Sequence, residues 1–380
     1  MDITDFYQTP ILREDLRPGD HIRARPVFAS QLAGAAGAWQ VVYATTDSRS
    51  QLVPASGIVL IPEAIAEPGQ AAILTYCPPF RGLGGVCAPS QLLATGTEPD
   101  TVAIEAALER GWVVALPDGR GLGVGTAPHT FLAARTGAVV MLDLVRAIYR
   151  AANLDLPVAP VLAWGYADGG RVVAAAGELQ PWYAPEVDLR SVAAGAVASD
   201  LAALAPVIGA RSSIAGLGLA GLIGLAHAYD QLPLRHVLNE EGIEAAAEAQ
   251  RLTGTELLVQ FWQPLQYWCR REDPWNDPWW RRVLALETLA HTKPAIPLHL
   301  YHGTLDPVVP VQAGRKALIA YRQRGTAVSW REYDADHLTT SHLAVTDVLT
   351  WLGRDLTSRP APSPGPVRTE GEDTDSTSHH

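Results

Sequence analysis

Residues 165–169 read Gly-Tyr-Ala-Asp-Gly and lie between an apolar strand pattern at 157–164 and a helical pattern at 170–179. The frame matches Gly-x-Ser-x-Gly, a strained strand-to-helix turn whose small flanking residues let neighbouring backbone approach closely. Ala167 stands where that turn normally carries a serine. The sequence therefore predicts a strand–turn–helix unit here. Without a serine oxygen, no acyl-enzyme can form at residue 167.

Short apolar runs alternate with helical patterns along most of the chain, at the spacing of strand–helix–strand units. The runs that predict buried strands cover 71–76, 112–117, 157–164, 192–197, 298–301 and 327–333. The helical patterns between the first four runs cover 102–110, 137–152 and 170–179. Residues 40–62 alternate apolar and polar side chains and predict an antiparallel hairpin pair. Together these patterns predict an α/β fold, with a mostly parallel sheet and helices on both faces.

The stretch 201–292 interrupts this alternation, because it is rich in helical patterns. We interpret it as a helical cap, inserted over the carboxyl ends of the strands, that divides the core into residues 1–200 and 293–356. Residues 357–380 are rich in Pro, Ser, Asp and Glu and are predicted to be a disordered tail. Most tryptophans of the cap are expected only to pack it against the core. They are Trp262, Trp268, Trp275, Trp279 and Trp280.

Composition excludes several classes of protein and site. A hydrophobic content of 48% with 18% charged residues describes a globular chain, and a net charge of −11 argues against nucleic acid and anionic membranes as partners. The apolar segment 214–227 is too short to span a bilayer. Three cysteines without CxxC spacing, and two histidines at the carboxyl end, are weak signals for metal, so neither a metal nor a cofactor is predicted.

The amino terminus carries no basic and apolar leader. The expected location is therefore the cytoplasm, or outside the cell if a leader has been removed. Lysine occurs only at positions 293 and 316 while arginine is plentiful, which is typical of GC-rich coding as in actinomycetes.

Two polar residues follow predicted strands near the end of the chain. Asp306 follows the strand at 298–301, and His337 follows the strand at 327–333. Position 167, Asp306 and His337 thus occur in the order nucleophile, acid, histidine. Either residue alone would be interpreted as an ordinary loop residue, but their order predicts a histidine–aspartate dyad. His342 is a poorer candidate, because it lies within the next helical pattern.

The chain contains several further motifs besides these site residues. They are Pro18-Gly-Asp with Arg23-Ala-Arg-Pro-Val, Gly82-Leu-Gly with Cys87-Ala-Pro-Ser90, Pro117-Asp with Gly121-Leu-Gly123, Leu142-Asp-Leu-Val-Arg-Ala147, and Tyr183-Ala-Pro-Glu186. From Phe6 to about Leu352 the chain resembles the secretory lipases of the Candida antarctica lipase A type. The resemblance implies an α/β-hydrolase fold with a helical cap and metal-free ester hydrolysis by a serine. It also implies a disulfide between Cys87 and Cys269.

The chain departs from the resembled family at three points. Ala167 replaces the nucleophile, Pro78-Pro-Phe80 stands where many bacterial members carry His-Gly-Thr, and the leader peptide is missing. A nucleophile at Asp168 is disfavoured, because Tyr166 would then occupy a position of the turn that needs a small residue. The N–H groups of Asp168 and Phe80 are predicted to form an anion hole, beside a substrate pocket that includes Ala167 and Tyr166. The Asp168 side chain is a candidate secondary acid or base.

A base and an anion hole without a nucleophile suit elimination. His337 would remove a proton next to a carbonyl, the N–H groups would hold the enolate, and a carboxylate such as acetate would leave. The main hypothesis is a carbon–oxygen lyase, monomeric or homodimeric, that acts on an acylated natural-product intermediate of a polyketide or tetronate-like kind.

Two alternatives stay open. The first is a lipase or carboxylesterase in which Ala167 is a natural or engineered loss of serine and a base-activated water can still attack. The second is a non-catalytic protein that binds a ligand in the pocket, although the presence of Asp306 and His337 argues against it. Each hypothesis has a small-molecule acyl ester as the ligand.

Overall fold

The computed structural model describes residues 3–358, apart from residues 68, 126, 152, 153, 155 and 157. These residues form a nine-stranded sheet with the order β1-β2-β3-β5-β4-β6-β7-β8-β9. The strands are β1 (His21–Val27), β2 (Ala35–Thr46), β3 (Leu52–Pro62), β4 (Ile73–Cys77), β5 (Val113–Pro117), β6 (Val161–Tyr166), β7 (Leu189–Gly195), β8 (Leu298–Gly303) and β9 (Val328–Tyr333). Of the predicted tail, only residues 357 and 358 fall within the described part.

The sheet is antiparallel at its amino-terminal edge and parallel elsewhere. Strands β1, β2 and β3 pair antiparallel, and β3 also runs antiparallel to β5. From β5 through β9 every pairing is parallel. The central strands are continuous apolar runs because helices cover both of their faces, and such runs are typical of parallel strands. The predicted α/β class with a mostly parallel sheet is confirmed.

Helices cover both faces of this sheet. The α-helices are α1 (Ile3–Phe6), α2 (Pro89–Thr95), α3 (Thr101–Leu108), α4 (Ala134–Arg150), α5 (Asp168–Tyr183), α6 (Leu201–Gly209), α7 (Ala215–Ala228), α8 (Leu234–Val237), α9 (Glu240–Ala249), α10 (Gly254–Gln260), α11 (Pro278–Leu286), α12 (Val311–Gln323), α13 (His337–Leu343) and α14 (Val345–Ser358). One hydrophobic cluster joins α4, α5 and α12 to the sheet, and another joins α3 and α14 to it. In the described part, no helix is long and apolar enough to cross a membrane.

The chain between β7 and β8 consists of helices α6 to α11, short 3₁₀ turns and loops, with no strand among its described residues. Its apolar side chains form one cluster that also contains Leu83, Phe131 and Val309, from loops near the carboxyl ends of the strands. Arg211 at the end of α6 donates a hydrogen bond to the carbonyl of Pro307. This helical segment therefore contacts the edge of the sheet at which the predicted site residues lie. The exact limits of a cap domain stay a prediction.

The tryptophans of the helical segment have different environments. Trp280 is fully buried, and Trp268 and Trp275 are partly buried against the cluster of that segment. Trp262 and Trp279 are exposed. The packing role expected for most of these side chains therefore applies to three of the five.

The three cysteines are buried and free. Cys87 packs with Ala88 and Leu122, whereas Cys269 belongs to the cluster of the helical segment. Burial raises the pKa of Cys87 to about 11 and that of Cys269 to about 12, so both are protonated thiols at neutral pH. The disulfide between Cys87 and Cys269 that the family resemblance implies is not formed in this structure.

Candidate active site

The turn between β6 and α5 has the strained geometry that its sequence predicts. Ala167 adopts φ 53° and ψ −113°, a left-handed conformation that costs free energy for a residue with a side chain. The flanking glycines fit where no side chain could. A Cβ at Gly169 would lie 1.9 Å from the carbonyl oxygen of Cys77, and a Cβ at Gly165 would lie 2.2 Å from that of Gly169. The surrounding backbone therefore holds Ala167 at the apex of the turn.

The structure brings His337 and Asp306 together, as a dyad requires. Nδ1 of His337 lies 2.6 Å from Oδ2 of Asp306, whose side chain is completely buried. The other carboxylate oxygen of Asp306 accepts the N–H groups of Val308 and Val309, each at 2.8 Å. Because the carboxylate accepts the Nδ1 proton, Nε2 of His337 is left with the lone pair of a base. His342 lies at the exposed end of α13 and takes no part in this pair.

His302 is a part of this arrangement that sequence reasoning missed. Its Nε2 lies 2.8 Å from the carbonyl oxygen of Val309 and 3.6 Å from Oδ2 of Asp306, and its side chain is fully buried. Burial lowers the pKa of His302, so the ring is neutral and donates from Nε2. Val309 thus donates its N–H to Asp306 and accepts a hydrogen bond from His302, which fixes the loop that orients the dyad. The position of His302, four residues before Asp306 in the same motif, was the available signal.

Tyr166 lies beneath the dyad. Its hydroxyl donates to the backbone carbonyl of His337 at 2.6 Å, and the two rings are 5.0 Å apart between centroids. The side chain is buried, with 2% of its surface exposed. Tyr166 therefore contacts both the backbone and the ring of His337, and its predicted place in a substrate pocket stays a prediction.

The predicted anion hole consists of two backbone N–H groups. Those of Asp168 and Phe80 donate to no acceptor within the described residues. Asp168 begins the 16-residue helix α5, and a helix amino terminus attracts negative charge. The Phe80 ring stacks on Phe131 with centroids 4.0 Å apart, which anchors the loop after β4. The arrangement is compatible with the predicted anion hole.

The side chain of Asp168 is half-buried at the start of α5. Its Oδ1 accepts the N–H of Leu132 at 3.3 Å, and Leu132 itself has the unusual φ of 68°. Burial raises the pKa of Asp168 to about 6, although the nearby guanidinium of Arg171 opposes the shift. Asp168 therefore exchanges its proton close to neutral pH, which suits the predicted secondary acid or base.

A buried ionic network connects α5 to the helical segment, and sequence reasoning missed it as well. Arg171 is 2% exposed and donates to the carbonyl of Ala198 and, at 2.8 Å, to that of Glu287. The Glu287 carboxylate lies 3.9 Å from this guanidinium and accepts the hydroxyl of Tyr229. Within the sequence Arg171 is simply one more residue of a helical pattern. Its partner Glu287 is more than 100 positions away and could not be inferred from it.

Replacing Asp168 by asparagine is expected to change how stability depends on pH. The raised pKa means that the folded protein holds the proton more tightly than the unfolded chain does, so wild-type stability falls as pH rises from about 4 to above 6. An asparagine side chain cannot ionise and can still accept the Leu132 N–H. We expect Asp168→Asn to gain about 1–3 kcal/mol relative to wild type on going from acidic to neutral pH. Urea unfolding of both proteins at acidic and at neutral pH measures this difference. The same free-energy difference between variant and wild type at both pH values would contradict it.

Comparisons with known proteins show the family and the fold of the chain. The sequence profile of the family described as secretory lipase matches residues 86–363. The chain is 24% identical to the "Probable inactive lipase MT1628" of Mycobacterium tuberculosis (strain CDC 1551 / Oshkosh), over 93% of this chain and 82% of that relative. It is 25% identical to the "Secreted triacylglycerol lipase LIP1" of Malassezia furfur, over 88% of this chain and 72% of that protein. The crystal structure of Candida antarctica lipase A in its closed state superposes with a TM-score of 0.81 at 21% identity, covering 94% of this chain and 86% of that one.

These comparisons correct the expected location. The matched family is described as secretory, and the Malassezia relative is named a secreted lipase. The prediction of a cytoplasmic protein is therefore wrong. It rested on the residues at the amino terminus alone.

Proposed function

The chain belongs to the secretory lipase family, and on that premise we propose that it binds carboxylic esters beside Ala167 and has lost acyl transfer. Slow ester hydrolysis then proceeds by direct attack of a water molecule that His337 activates. The relative from Mycobacterium tuberculosis, which is named a probable inactive lipase, supports a loss of the fast reaction. We favour this function over the elimination of a carboxylate, because the matched family is described as secretory lipase.

The observation that carries the proposal is the strained conformation of Ala167. A residue with φ 53° persists only when the surrounding structure requires it. The turn has no serine oxygen to present, but it still directs the N–H of Asp168 to the place where an ester carbonyl oxygen would bind. The strain is therefore explained if the binding of an ester oxygen, rather than the attack of a nucleophile, is the function that remains.

The proposed reaction needs only groups already described. Nε2 of His337 takes a proton from a water molecule, and the water oxygen forms a bond to the ester carbonyl carbon. The negative charge on the former carbonyl oxygen is stabilised by the N–H groups of Asp168 and Phe80. The bond to the leaving oxygen then breaks, and that oxygen takes the proton from His337. Asp306 stabilises the imidazolium between the two proton transfers.

Elimination remains a second candidate, since the same groups favour it. His337 would take a proton from the carbon next to a carbonyl, and the N–H groups would hold the enolate instead of a tetrahedral oxyanion. The two reactions give different products. Hydrolysis of a β-acetoxy ketone in ¹⁸O water yields a hydroxy ketone and labelled acetate, whereas elimination yields an unsaturated ketone and unlabelled acetate.

We expect the wild-type protein to form the hydroxy ketone slowly, with ¹⁸O in the acetate and no acyl group on the peptide that contains Ala167. His337→Ala is expected to lower the rate by about 10²–10⁴-fold, the usual share of a positioned base, with little change in KM. His342→Ala is the matched control, because this exposed histidine lies in the same helix without a carboxylate partner among the described residues. Formation of the unsaturated ketone would overturn hydrolysis in favour of elimination. Equal rates for His337→Ala and wild type would overturn both.

A further inference from the structure

A second histidine–carboxylate pair lies in the fold, away from the dyad of His337. His299 is in β8, and its Nε2 lies 2.6 Å from Oδ2 of Asp355 in α14. The other ring nitrogen, Nδ1, lies 2.6 Å from the hydroxyl oxygen of Ser329, the residue opposite His299 on the neighbouring strand β9. Two short hydrogen bonds thus connect Ser329 to His299 and His299 to Asp355. A nucleophile bonded to a base, which is itself oriented by a third group, is the geometric signature of an activated serine.

The surroundings of Asp355 determine which nitrogen carries the proton. Oδ2 also accepts the hydroxyl of Ser191 at 2.8 Å, and Oδ1 accepts Arg354 at 3.2 Å. Burial raises the pKa of Asp355, but the hydrogen bonds from His299 and Ser191 and the charge of Arg354 together lower it, so the group is a carboxylate at neutral pH. A carboxylate can only accept, and His299 must therefore carry its proton on Nε2. Nδ1 is then the acceptor, and Ser329 donates its hydroxyl proton to it.

The three members differ in exposure in the way that a reactive site requires. His299 is 3% exposed and Asp355 is 7% exposed, and Trp351 stacks over the histidine ring with centroids 5.4 Å apart. Ser329 lies on β9, the last strand of the sheet, and its side chain is exposed. The base and the carboxylate are therefore shielded from water, while the nucleophile is accessible to a reagent.

We propose that Ser329 is an acyl-acceptor site, modified by small activated acyl donors such as thioesters, acyl phosphates or aryl esters. Oγ of Ser329 forms a bond to the acyl carbon while its proton passes to Nδ1 of His299. The bond from the acyl carbon to the leaving thiolate, phosphate or phenolate breaks, and the product is an O-acyl serine. Because Ser329 lies on an open strand surface, the donor must supply its own reactivity. This modification is independent of ester binding at Ala167.

The test uses p-nitrophenyl acetate on the full chain in the His337→Ala background, where the dyad cannot contribute. Acetylated peptides are identified by mass spectrometry, so that reaction at lysines and the amino terminus is resolved separately. We expect acetylation at Ser329 to be at least about 10²-fold faster than at Ser50, the share that an adjacent base supplies. Ser50 is the matched control, because it is an exposed serine whose side chain has no histidine partner among the described residues. Ser329→Ala should abolish acetylation of the peptide that contains residue 329, and Ser50→Ala should leave that acetylation unchanged.

A second measurement tests how His299 activates residue 329, without an acyl donor. Ser329→Cys places a thiol beside Nδ1 of His299, and a cysteine next to a base is partly ionised near neutral pH. We expect its alkylation by iodoacetamide at about pH 7 to be at least about 10-fold faster than that of Ser50→Cys. The native cysteines are buried and give little background. If Ser329 is acetylated no faster than Ser50, or if the two engineered thiols react at the same rate, the proposal is wrong.

Discussion

Replacing Ala167 by serine is expected to raise the rate of ester hydrolysis by about 10³-fold or more. The rest of an acyl-transfer site is already in place. The turn is held at φ 53° by its neighbours, and the Nδ1 hydrogen bond to Asp306 leaves Nε2 of His337 free to take a proton. We therefore expect the existing turn to position a serine oxygen on Cβ, and His337 to activate it.

Three readouts check this gain. Hydrolysis of p-nitrophenyl butyrate by Ala167→Ser should show a burst followed by a slower steady state, because an acyl-enzyme now accumulates. A fluorophosphonate should label the peptide that contains residue 167 in Ala167→Ser and not in wild type. The double variant Ala167→Ser with His337→Ala should lose the gain. A serine variant that folds but neither reacts with the probe nor hydrolyses faster would show that the site cannot support acyl transfer.

The largest expected effect on stability comes from Arg171. Replacing it by methionine preserves much of the apolar side chain but removes the guanidinium that lies 3.9 Å from the Glu287 carboxylate and donates to the carbonyls of Glu287 and Ala198. Removing one partner of a buried pair leaves the other charge without compensation, which costs about 3–5 kcal/mol. We expect Arg171→Met to lower the free energy of unfolding in urea by that amount near neutral pH.

The exposed pair of Arg315 and Glu332 supplies the control. Arg315→Met removes the ion pair between Nε of Arg315 and Oε1 of Glu332, which are 2.7 Å apart. Solvent screens these surface charges, so we expect the free energy of unfolding to fall by only about 0–1 kcal/mol. Equal losses for the two variants would mean that burial of the Arg171 network does not matter.

The pH dependence of Arg171→Met gives a further check on the cause. Burial already raises the pKa of Glu287 and of Asp168 in the wild-type protein, and loss of the neighbouring cation raises both further. A carboxyl with a raised pKa destabilises the fold as pH rises and ceases to do so once it is protonated. The deficit of Arg171→Met should therefore be smaller at mildly acidic pH than above neutrality. A deficit that stays constant with pH would indicate lost packing rather than unpaired charge.

The elements of the core could be predicted because their patterns are local. Buried strands such as β5 and β6 are continuous apolar runs, and the glycines around Ala167 mark the turn directly. Asp306 and His337 could be paired from sequence because parallel strands bring their carboxyl ends to one edge of the sheet. Their hydrogen bond follows from topology rather than from any local feature.

The remaining parts of the site depend on contacts between distant segments. Tyr166 lies under His337 because the register of β6 points its ring toward the loop after β9, and no pattern within 165–169 indicates that direction. The partners of Arg171 include Glu287 of the helical segment, whose fold has no repeating pattern to extrapolate. The expected disulfide was implied by the family resemblance alone, and Cys87 and Cys269 are free thiols in this structure.

The glycines around Ala167 link the shape of the turn to the packing of the core, and this has a consequence for its evolution. Side chains at Gly165 and Gly169 would meet backbone oxygens at 2.2 Å and 1.9 Å, so substitutions there are harmful to folding whether or not a substrate is turned over. Selection for stability therefore acts together with selection for ester binding to preserve the turn in a lineage that has stopped using a nucleophile. Alanine codons GCN and serine codons TCN differ at their first base only. In such a lineage the loss of the nucleophile stays reversible by a point mutation for as long as the core remains intact.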